Sequence, residues 1–333
     1  MKSSVCVVIP HFNDLIGLES ALKSVYSQTR LPEEVIVVDD QSPDVDFKLL
    51  EELSSRYGFV LLQQENKGQS AARNLGVNKT NCSHICFLDQ DDLFLENHIE
   101  DLLLAWDSNP RLAFVYGDAW RQDEKGHVFM RTTYRTDLDI ETASIFVLAG
   151  RDILITPGMT MFSRSHFVSV GGFDERLRGY EDDDLLFRLV VSGAQGKRIE
   201  APVLIWTYNL SSTSFSVSMQ RSRDVYFRKL HEFFDNEFYV AYGMFVFKDI
   251  LLARFYKMMI NDAVRLARQG GADFEVVQNN LKYFCEVGLK SQGLTSKQKR
   301  SLRFSRFAIT KIPTKAIQAS FSFAIRAKAF LRL

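Results

Sequence analysis

Three carboxylates, Asp89, Asp91 and Asp92, stand within four residues directly after the apolar run at residues 85–88. An apolar run of that length suits a buried strand. Acids at its end gather negative charge at one edge of a sheet, where they repel unless a cation or ligand offsets them. Oxygen-only donors suit Mg²⁺ or Mn²⁺, which in turn hold phosphate oxygens. The pattern points to a metal–diphosphate site. Two further polar clusters follow apolar runs, His11-Phe12-Asn13 after residues 5–9 and Asp39-Asp40-Gln41-Ser42 after residues 35–38.

Strands and helices must alternate to carry these clusters. Strands are expected over 5–9, 35–38, 59–62, 85–88 and 113–116. Asn13 or Asp14 can cap a helix whose apolar face is Leu15, Leu18, Leu22 and Val25. A second helix over 47–57 stops at Gly58, a third begins near Gln69, and Ile99, Leu102, Leu103 and Trp106 mark a fourth. This alternation implies an α/β fold with a mostly parallel central sheet covered by helices on both faces. Ligands of such sheets bind at the carboxyl ends of the strands, where all three clusters fall. Residues 119–208 read as mixed, with a hairpin around Glu124-Lys125-Gly126 and a helix over 183–192 ending at Gly193. From about residue 215 the chain reads as helical and increasingly basic. The expected domains are 1–215, in halves 1–117 and 118–215, and a helical region 216–333.

The composition, 333 residues with 46% hydrophobic and 25% charged, fits a globular protein with a substantial core. Four cysteines (Cys6, Cys82, Cys86, Cys285) make no disulfide framework. No Cys/His pair follows Cys82 and Cys86, so buried reduced thiols are expected rather than zinc. The opening Met1-Lys2-Ser3-Ser4 runs straight into a strand and shows no signal peptide. No uncharged apolar run of about 18 residues predicts a spanning helix. Net charge is zero, yet after Glu286 there are eleven cations and no acid, leaving 30 basic against 41 acidic residues elsewhere. That tail interleaves cations with Phe304, Phe307, Ile312, Ile317, Phe321, Phe323, Ile325, Phe330 and Leu331, and Pro313 suits a helix start. Basic aromatic amphipathic helices lie on anionic membrane surfaces. A helical cap on the first domain or a dimer contact is the alternative. No nucleic-acid motif accompanies the charge.

Six motifs in order resemble the family 2 inverting glycosyltransferases of GT-A fold, the type found in bacterial surface-polysaccharide assembly. They are Val7-Val-Ile-Pro10-His-Phe12-Asn13, Val37-Val-Asp39-Asp40-Gln-Ser42-Pro-Asp44, Asn66-Lys-Gly68-Gln-Ser70-Ala-Ala-Arg73-Asn74-Leu-Gly76, Phe87-Leu-Asp89-Gln90-Asp91-Asp92, Gly171-Gly172-Phe173-Asp174-Glu175 and Gly179-Tyr-Glu181-Asp182-Asp-Asp184-Leu185. They span residues 5 to about 210. The resemblance implies a nucleotide-sugar-binding half (1–117), an acceptor-binding half (118–215), and transfer of a sugar from a nucleoside diphosphate to a glycan or lipid-linked acceptor. It implies that Pro10, Phe12 and Asn13 line the base pocket, with Phe12 stacking. Asp40, beside Asp39, would accept from a uracil-type N–H. Arg73 would hold the base or diphosphate, and Asp89, beside Gln90, would contact the ribose. Asp91 would ligate Mn²⁺ or Mg²⁺, and Asp182, with Glu181 beside it, would be the general base. Gly171, Gly172, Phe173 and Asp174 would shape the acceptor and sugar pocket. UDP is the implied nucleotide, and dTDP would meet Asp40 equally well through the same imide group. The expected setting is cytoplasmic, with the basic tail as the contact to a membrane face, and an oligomer is compatible with it.

The chemistry of these residue types agrees. An aromatic ring gives a large stacking face, and a carboxylate matches an imide donor. Metal on the diphosphate assists the leaving group, so one acceptor-side base suffices. The blander readings are a turn and helix cap for Asp39-Asp40 and helix-start acids for Glu181 to Asp183. Others are an intrahelical Asp184–Arg188 pair, a helix stop with a buried Phe at 171–174, and an exposed helical patch at Arg73-Asn74. His11 reads as a pocket-rim residue without a role. Many relatives carry a His after the last core strand that completes the metal site. Tyr208-Asn-Leu210-Ser-Ser-Thr-Ser214 has none, leaving Asp91, phosphates and water, with Ser211, Ser212 or Ser214 as further phosphate contacts. The competing functions are a catalytically degenerate GT-A scaffold and a sugar nucleotidyltransferase, the latter disfavoured because no Gly-rich phosphate loop follows the first strand.

Overall fold

The computed structural model describes residues 3–107, 109, 111–123, 125–132, 143–208, 217–234, 245–267 and 271–311. They fall into two compact units, Met1–Ile145 with Ile153–Ser212, and Phe146–Asp152 with Thr213–Leu333.

The first unit is built on a nine-stranded sheet. Its strands are β1 (Val5–His11), β2 (Glu34–Asp39), β3 (Val60–Gln63), β4 (His84–Phe87), β5 (Leu93–Phe94), β6 (Leu112–Gln122), β7 (Val128–Thr132), β8 (Thr160–Ser163) and β9 (Gln195–Thr207). The spatial order is β3-β2-β1-β4-β8-β6-β9-β5, with β7 paired to β6. The four strands β3-β2-β1-β4 are all parallel. Beyond them the sheet is mixed, because β8 runs antiparallel to both β4 and β6 while β9 runs parallel to β6. Strand β1 is buried along its whole length, as a strand covered on both faces must be.

Helices α1 (Leu15–Tyr26), α2 (Asp44–Tyr57), α3 (Gln69–Lys79) and α4 (His98–Asp107) connect the parallel part. Asp14 caps α1, its Oδ1 accepting from Gly17 N at 2.9 Å, and Gly58 ends α2 at φ +78°. At Gly76 a Cβ would stand 2.4 Å from Val8 Cγ1, so glycine lets α3 lie directly on β1. Next in the chain is α5 (Ile145–Gly150), which belongs, but for its first residue, to the second unit; α6 (Arg164–Ser169) and α7 (Glu181–Val191) follow in the first. Phe87, Phe162, Phe167 and Phe173 form one aromatic cluster of the core, with ring centroids 5.2–6.1 Å apart.

The second unit is helical: α8 (Val217–Phe234), a π turn (Phe247–Leu251) running into α9 (Leu252–Leu266), α10 (Gly271–Lys290) and α11 (Ser296–Lys311). Its core includes Phe227 against Phe255 and Phe284. Buried Arg254 donates to the carbonyls of Leu148 and Ala149 and to Asp152 Oδ1. All four cysteines are buried free thiols, and burial pushes the Cys6 thiol up to about 12. Among the described residues no helix is long and apolar enough to cross a membrane.

Candidate active site

Register brings the polar clusters together. His11 pairs with Asp39 across β1 and β2, and Asp40 N donates to His11 O at 2.8 Å. On the other side of β1, Leu88 N donates to Val8 O at 3.1 Å. The loops after β2, β1 and β4 therefore leave adjacent strands at one sheet edge. Two residues in these loops are held left-handed, Asn13 at φ 58° and Gln41 at φ 67°. Such strain in non-glycine residues concentrates at functional sites.

Phe12 is 44% exposed, as a stacking face requires. Gln90 fixes its backbone like a strand partner: Phe12 N donates to Gln90 Oε1 at 2.9 Å and Gln90 Nε2 donates to Phe12 O at 2.9 Å. Asn13 N donates to Ser42 Oγ at 3.0 Å. Pro10 is buried at the end of β1. His11 is buried as well rather than on a rim, with neither ring nitrogen hydrogen-bonded. Burial lowers its pKa more strongly than nearby Asp39 raises it.

Asp39 is fully buried and accepts from Ser42 N at 3.1 Å and Gln63 Nε2 at 3.2 Å. Asp40 gathers the loop before α3. Its Oδ1 accepts from Gln64 Nε2 and Lys67 N, each at 2.8 Å, and its Oδ2 from Gly68 N at 2.9 Å. One acceptor direction on Oδ2 is left, which suits a single imide N–H.

The acids after β4 divide into three environments. Asp92 turns inward, its Oδ1 accepting from Thr207 N at 2.8 Å. Burial first, then the charges of Asp91 and Asp89, hold its carboxyl well above the ordinary range. Asp89 Oδ1 accepts from Arg73 at 2.5 Å, and its side chain stays 37% exposed. Asp91 is exposed. Crowding by protein atoms, then the Asp89 charge, lifts its pKa to about 6. It is the acid most open to a hard cation. Among the described residues no three His, Cys, Asp or Glu side chains converge as a metal cage. One or two carboxylates with phosphate and water match the way Mg²⁺ is usually held, so the donor set fits such an ion.

Helix α3 ties these loops to residues 173–181 through one face. Gln69 Nε2 donates to Glu181 Oε1 at 2.5 Å, and Ser70 Oγ donates to Leu177 O at 2.8 Å. Asn74 brackets Phe173, donating to its O at 2.9 Å and accepting from its N at 2.9 Å. Arg73, 1% exposed, donates to Asp89 and, at 3.1 Å, to Glu181 Oε1. Its guanidinium lies 5.4 Å from the Phe173 ring centroid. Burial works against its charge, but Asp89 and Glu181 outweigh that and raise its pKa.

Tyr180, at φ 63°, caps α7, and the helix opens with Glu181 and Asp182. Glu181 is buried and occupied by Arg73 and Gln69. Asp182 is partly exposed and accepts from Asp183 N at 2.8 Å. Burial, then the charges of Asp183 and Glu181, hold its carboxyl well above the usual value. Asp183 accepts from Ile153 N at 3.1 Å, and Asp184 pairs with Arg188 at 2.8 Å. Arg188 also donates to the carbonyls of Val170 and Gly172 at 2.5 and 2.7 Å.

Several residues sit differently from the sequence-based expectation. Arg73 is 1% exposed and pairs with Asp89 and Glu181, so the exposed-patch alternative is excluded. Gln90 spends its amide on Phe12. Phe173 is core, 2% exposed, supporting the site from beneath instead of lining it. Asp174 is turned to Arg176, accepting from its Nε at 2.9 Å and Nη2 at 2.7 Å. Gly171 is exposed and Gly172 buried. Gln69, Ser70 and Asn74 were missed, though spacing could have found them, since Gln69 and Ser70 stand four and three residues before Arg73 and Asn74 four after Ser70. The stretch after Tyr208 and the tail beyond residue 311 lie outside the described residues.

Comparison with known proteins adds an independent line. Residues 6–171 match the model of glycosyl transferase family 2, and residues 152–209 that of the N-terminal domain of galactosyltransferase. An uncharacterized glycosyltransferase of Haemophilus influenzae is 27% identical over 63% of this chain and 70% of its own length. A UDP-Glc:alpha-D-GlcNAc-diphosphoundecaprenol beta-1,3-glucosyltransferase of Escherichia coli is 32% identical over 34% of this chain and 45% of its own. The solved structure of S. aureus TarS 1-349 in complex with UDP-GlcNAc is similar over 96% of this chain and 92% of that chain. Its TM-score is 0.65 and its identity 14%, so it speaks to the fold. The fold is of GT-A type with a helical C-terminal region.

Proposed function

This chain belongs to glycosyl transferase family 2, and on that premise we propose that it transfers a sugar from a UDP-sugar to a hydroxyl of a glycan or lipid-linked saccharide, with inversion. One observation carries the reading. The exposed Phe12 ring, the one acceptor direction left on Asp40 and the outward acids Asp89 and Asp91 share one sheet edge, and Arg73 joins that edge to the turn bearing Asp182.

In this reading Phe12 stacks on the base and Asp40 accepts its imide N–H. Asp89 Oδ2 meets the ribose. Asp91 holds Mn²⁺ or Mg²⁺, which when bound offsets the charge of the leaving diphosphate. Asp182 takes the proton of the acceptor hydroxyl. Its raised pKa brings it toward the operating pH, as a general base requires. Glu181 is held by Arg73 and Gln69, which favours Asp182 over it as the base. The E. coli relative, named for a UDP-Glc donor and a diphosphoundecaprenol-linked acceptor, supports the choice of UDP and of a lipid-linked acceptor.

The setting belongs to the same proposal, with the enzyme peripheral on the cytoplasmic face of an anionic membrane. Helix α11 carries Lys297, Lys299, Arg300, Arg303, Arg306 and Lys311 and no acid, with Phe304 and Phe307 37% and 57% exposed. Cations and aromatic rings on one helix match an anionic lipid surface.

Nucleotide release with an acceptor saccharide tests the chemistry. Asp182→Asn lowers kcat by roughly 10²- to 10⁴-fold while the donor Kd holds, and the product anomer is inverted relative to the donor. Full turnover by Asp182→Asn, or a retained anomer, contradicts the proposal.

A further inference from the structure

Arg73 occupies an unusual position for a cation. It is 1% exposed and lies on α3, the element standing between the β4 tip and the start of α7. Its two terminal nitrogens go to different destinations, one to Asp89 and the other to Glu181. Asp89 is the donor-side acid in the reading above, and Glu181 is the immediate neighbour of the base. The Nε has no partner, so both fixed contacts run to those two carboxylates.

Burying a guanidinium is costly unless well-placed carboxylates offset it. A structural core position could be filled by an apolar side chain of similar volume, but only if the acids it faces were also absent. Here they are retained, and neighbours hold each of them. Asp89 accepts from Arg73 through Oδ1 while its side chain stays 37% exposed. Glu181 is steadied by Gln69, and Phe173 under the guanidinium is locked to α3 by Asn74. Any change at Asp89 must alter what Arg73 offers to Glu181.

We propose that Arg73 is a positioning residue that couples donor binding at Asp89 to placement of the Glu181–Asp182 turn, so that the base is set when the nucleotide sugar is seated. The coupling rests on the donor and base assignments proposed above. By linkage it is reciprocal, so weakening the Glu181 end must weaken donor binding at the other end.

Calorimetric titration with UDP-glucose and UDP-GlcNAc, in Mn²⁺, tests this in the full chain. The wild type is compared with Glu181→Gln, Arg73→Lys, Arg73→Met and Arg73→Met/Glu181→Gln, each checked for a cooperative melt. Glu181→Gln should raise the donor Kd about tenfold, and the same change in the Arg73→Met background should leave Kd where Arg73→Met puts it. Arg73→Lys, whose ammonium cannot bridge both acids as the planar fork does, should lose kcat more than it raises KM. If Arg73→Met does not fold, the cycle of Asp89→Asn with Glu181→Gln, both close in shape to the native residues, must be non-additive in Kd. A wild-type Kd in Glu181→Gln, or additive effects in either cycle, overturns the coupling while leaving the function in place. A wild type that binds no nucleotide sugar of a broad panel overturns both.

Discussion

Gln90 offers a sharp test of how the site is built, because its amide makes both of its hydrogen bonds to the backbone of Phe12, each at 2.9 Å. Gln90→Leu keeps a side chain of comparable bulk, one atom shorter, and removes both bonds. Neutral hydrogen bonds of this kind contribute about 0.5–1.5 kcal/mol each, and water can replace them at this solvent-facing loop, so global stability should fall by about 1 kcal/mol. The larger effect should appear in nucleotide binding. Stacking of a base on an aromatic ring contributes about 1–3 kcal/mol. A ring whose backbone is no longer fixed should lose part of that, about 1–2 kcal/mol, or roughly a 5- to 30-fold rise in the Kd for UDP. Phe12→Ala removes the whole stack, and Gln90→Leu added to it should then change Kd by less than about twofold. Calorimetry with UDP reads all four proteins. Unchanged UDP affinity in Gln90→Leu, or an undiminished effect in the Phe12→Ala background, refutes the argument that Gln90 acts through Phe12.

Three further outcomes are expected. Burial and like charges raise the Asp182 pKa, so the base is protonated at low pH and activity grows as pH rises through that value. The acidic limb of kcat/KM should lie well above 3.8 and vanish from the residual activity of Asp182→Asn, whereas a limb near 3.8 removes the case for Asp182. Gly172 is left-handed at φ +66°, and a Cβ there would stand 2.6 Å from Asn74 Oδ1, while Gly171 at φ +85° has open space. Both Ala variants should lose about 1–2 kcal/mol of stability to backbone strain, but urea titration should show Gly172→Ala losing more, and equal losses would discount the Asn74 bracket. Anionic liposomes should co-sediment the protein and neutral ones should not, with Arg300→Glu/Arg303→Glu releasing it; equal pelleting with both lipids contradicts a membrane role for α11.

The sequence was most legible where structure is local. The alternation that predicts β1, β2, β3 and β4 with their helices depends on short periodic segments, and the observed strands differ by one to a few residues at their ends. The mixed half was not legible. Strand β9 begins Gln-Gly-Lys-Arg-Ile-Glu and is only partly buried for much of its length, so it lacks the apolar run that reveals a strand. Strand β5 has two residues, and β8 owes its place to antiparallel pairing with β4, about 75 residues earlier in the chain. In the site, residue types pointed to one edge of the sheet, where the structure does bring them together, but not to the direction of each side chain. Asp89, Asp91 and Asp92 look equivalent in sequence, yet one meets Arg73, one faces water and one binds the Thr207 amide. Arg73 reads from its motif as a cation for the base or diphosphate, and nothing local reveals that Glu181, 108 residues away, shares it. Such long-range pairings set the role of a charged side chain more than its motif does.

The measurement closest to the central claim is calorimetric binding of UDP-, dTDP- and GDP-sugars, with and without Mn²⁺, by the wild type and by Asp91→Ala. One UDP- or dTDP-linked sugar should bind, and its affinity should fall both when Mn²⁺ is withheld and when Asp91 is removed. Failure to bind any nucleotide sugar, or binding indifferent to both Mn²⁺ and Asp91, would contradict a donor site at this sheet edge.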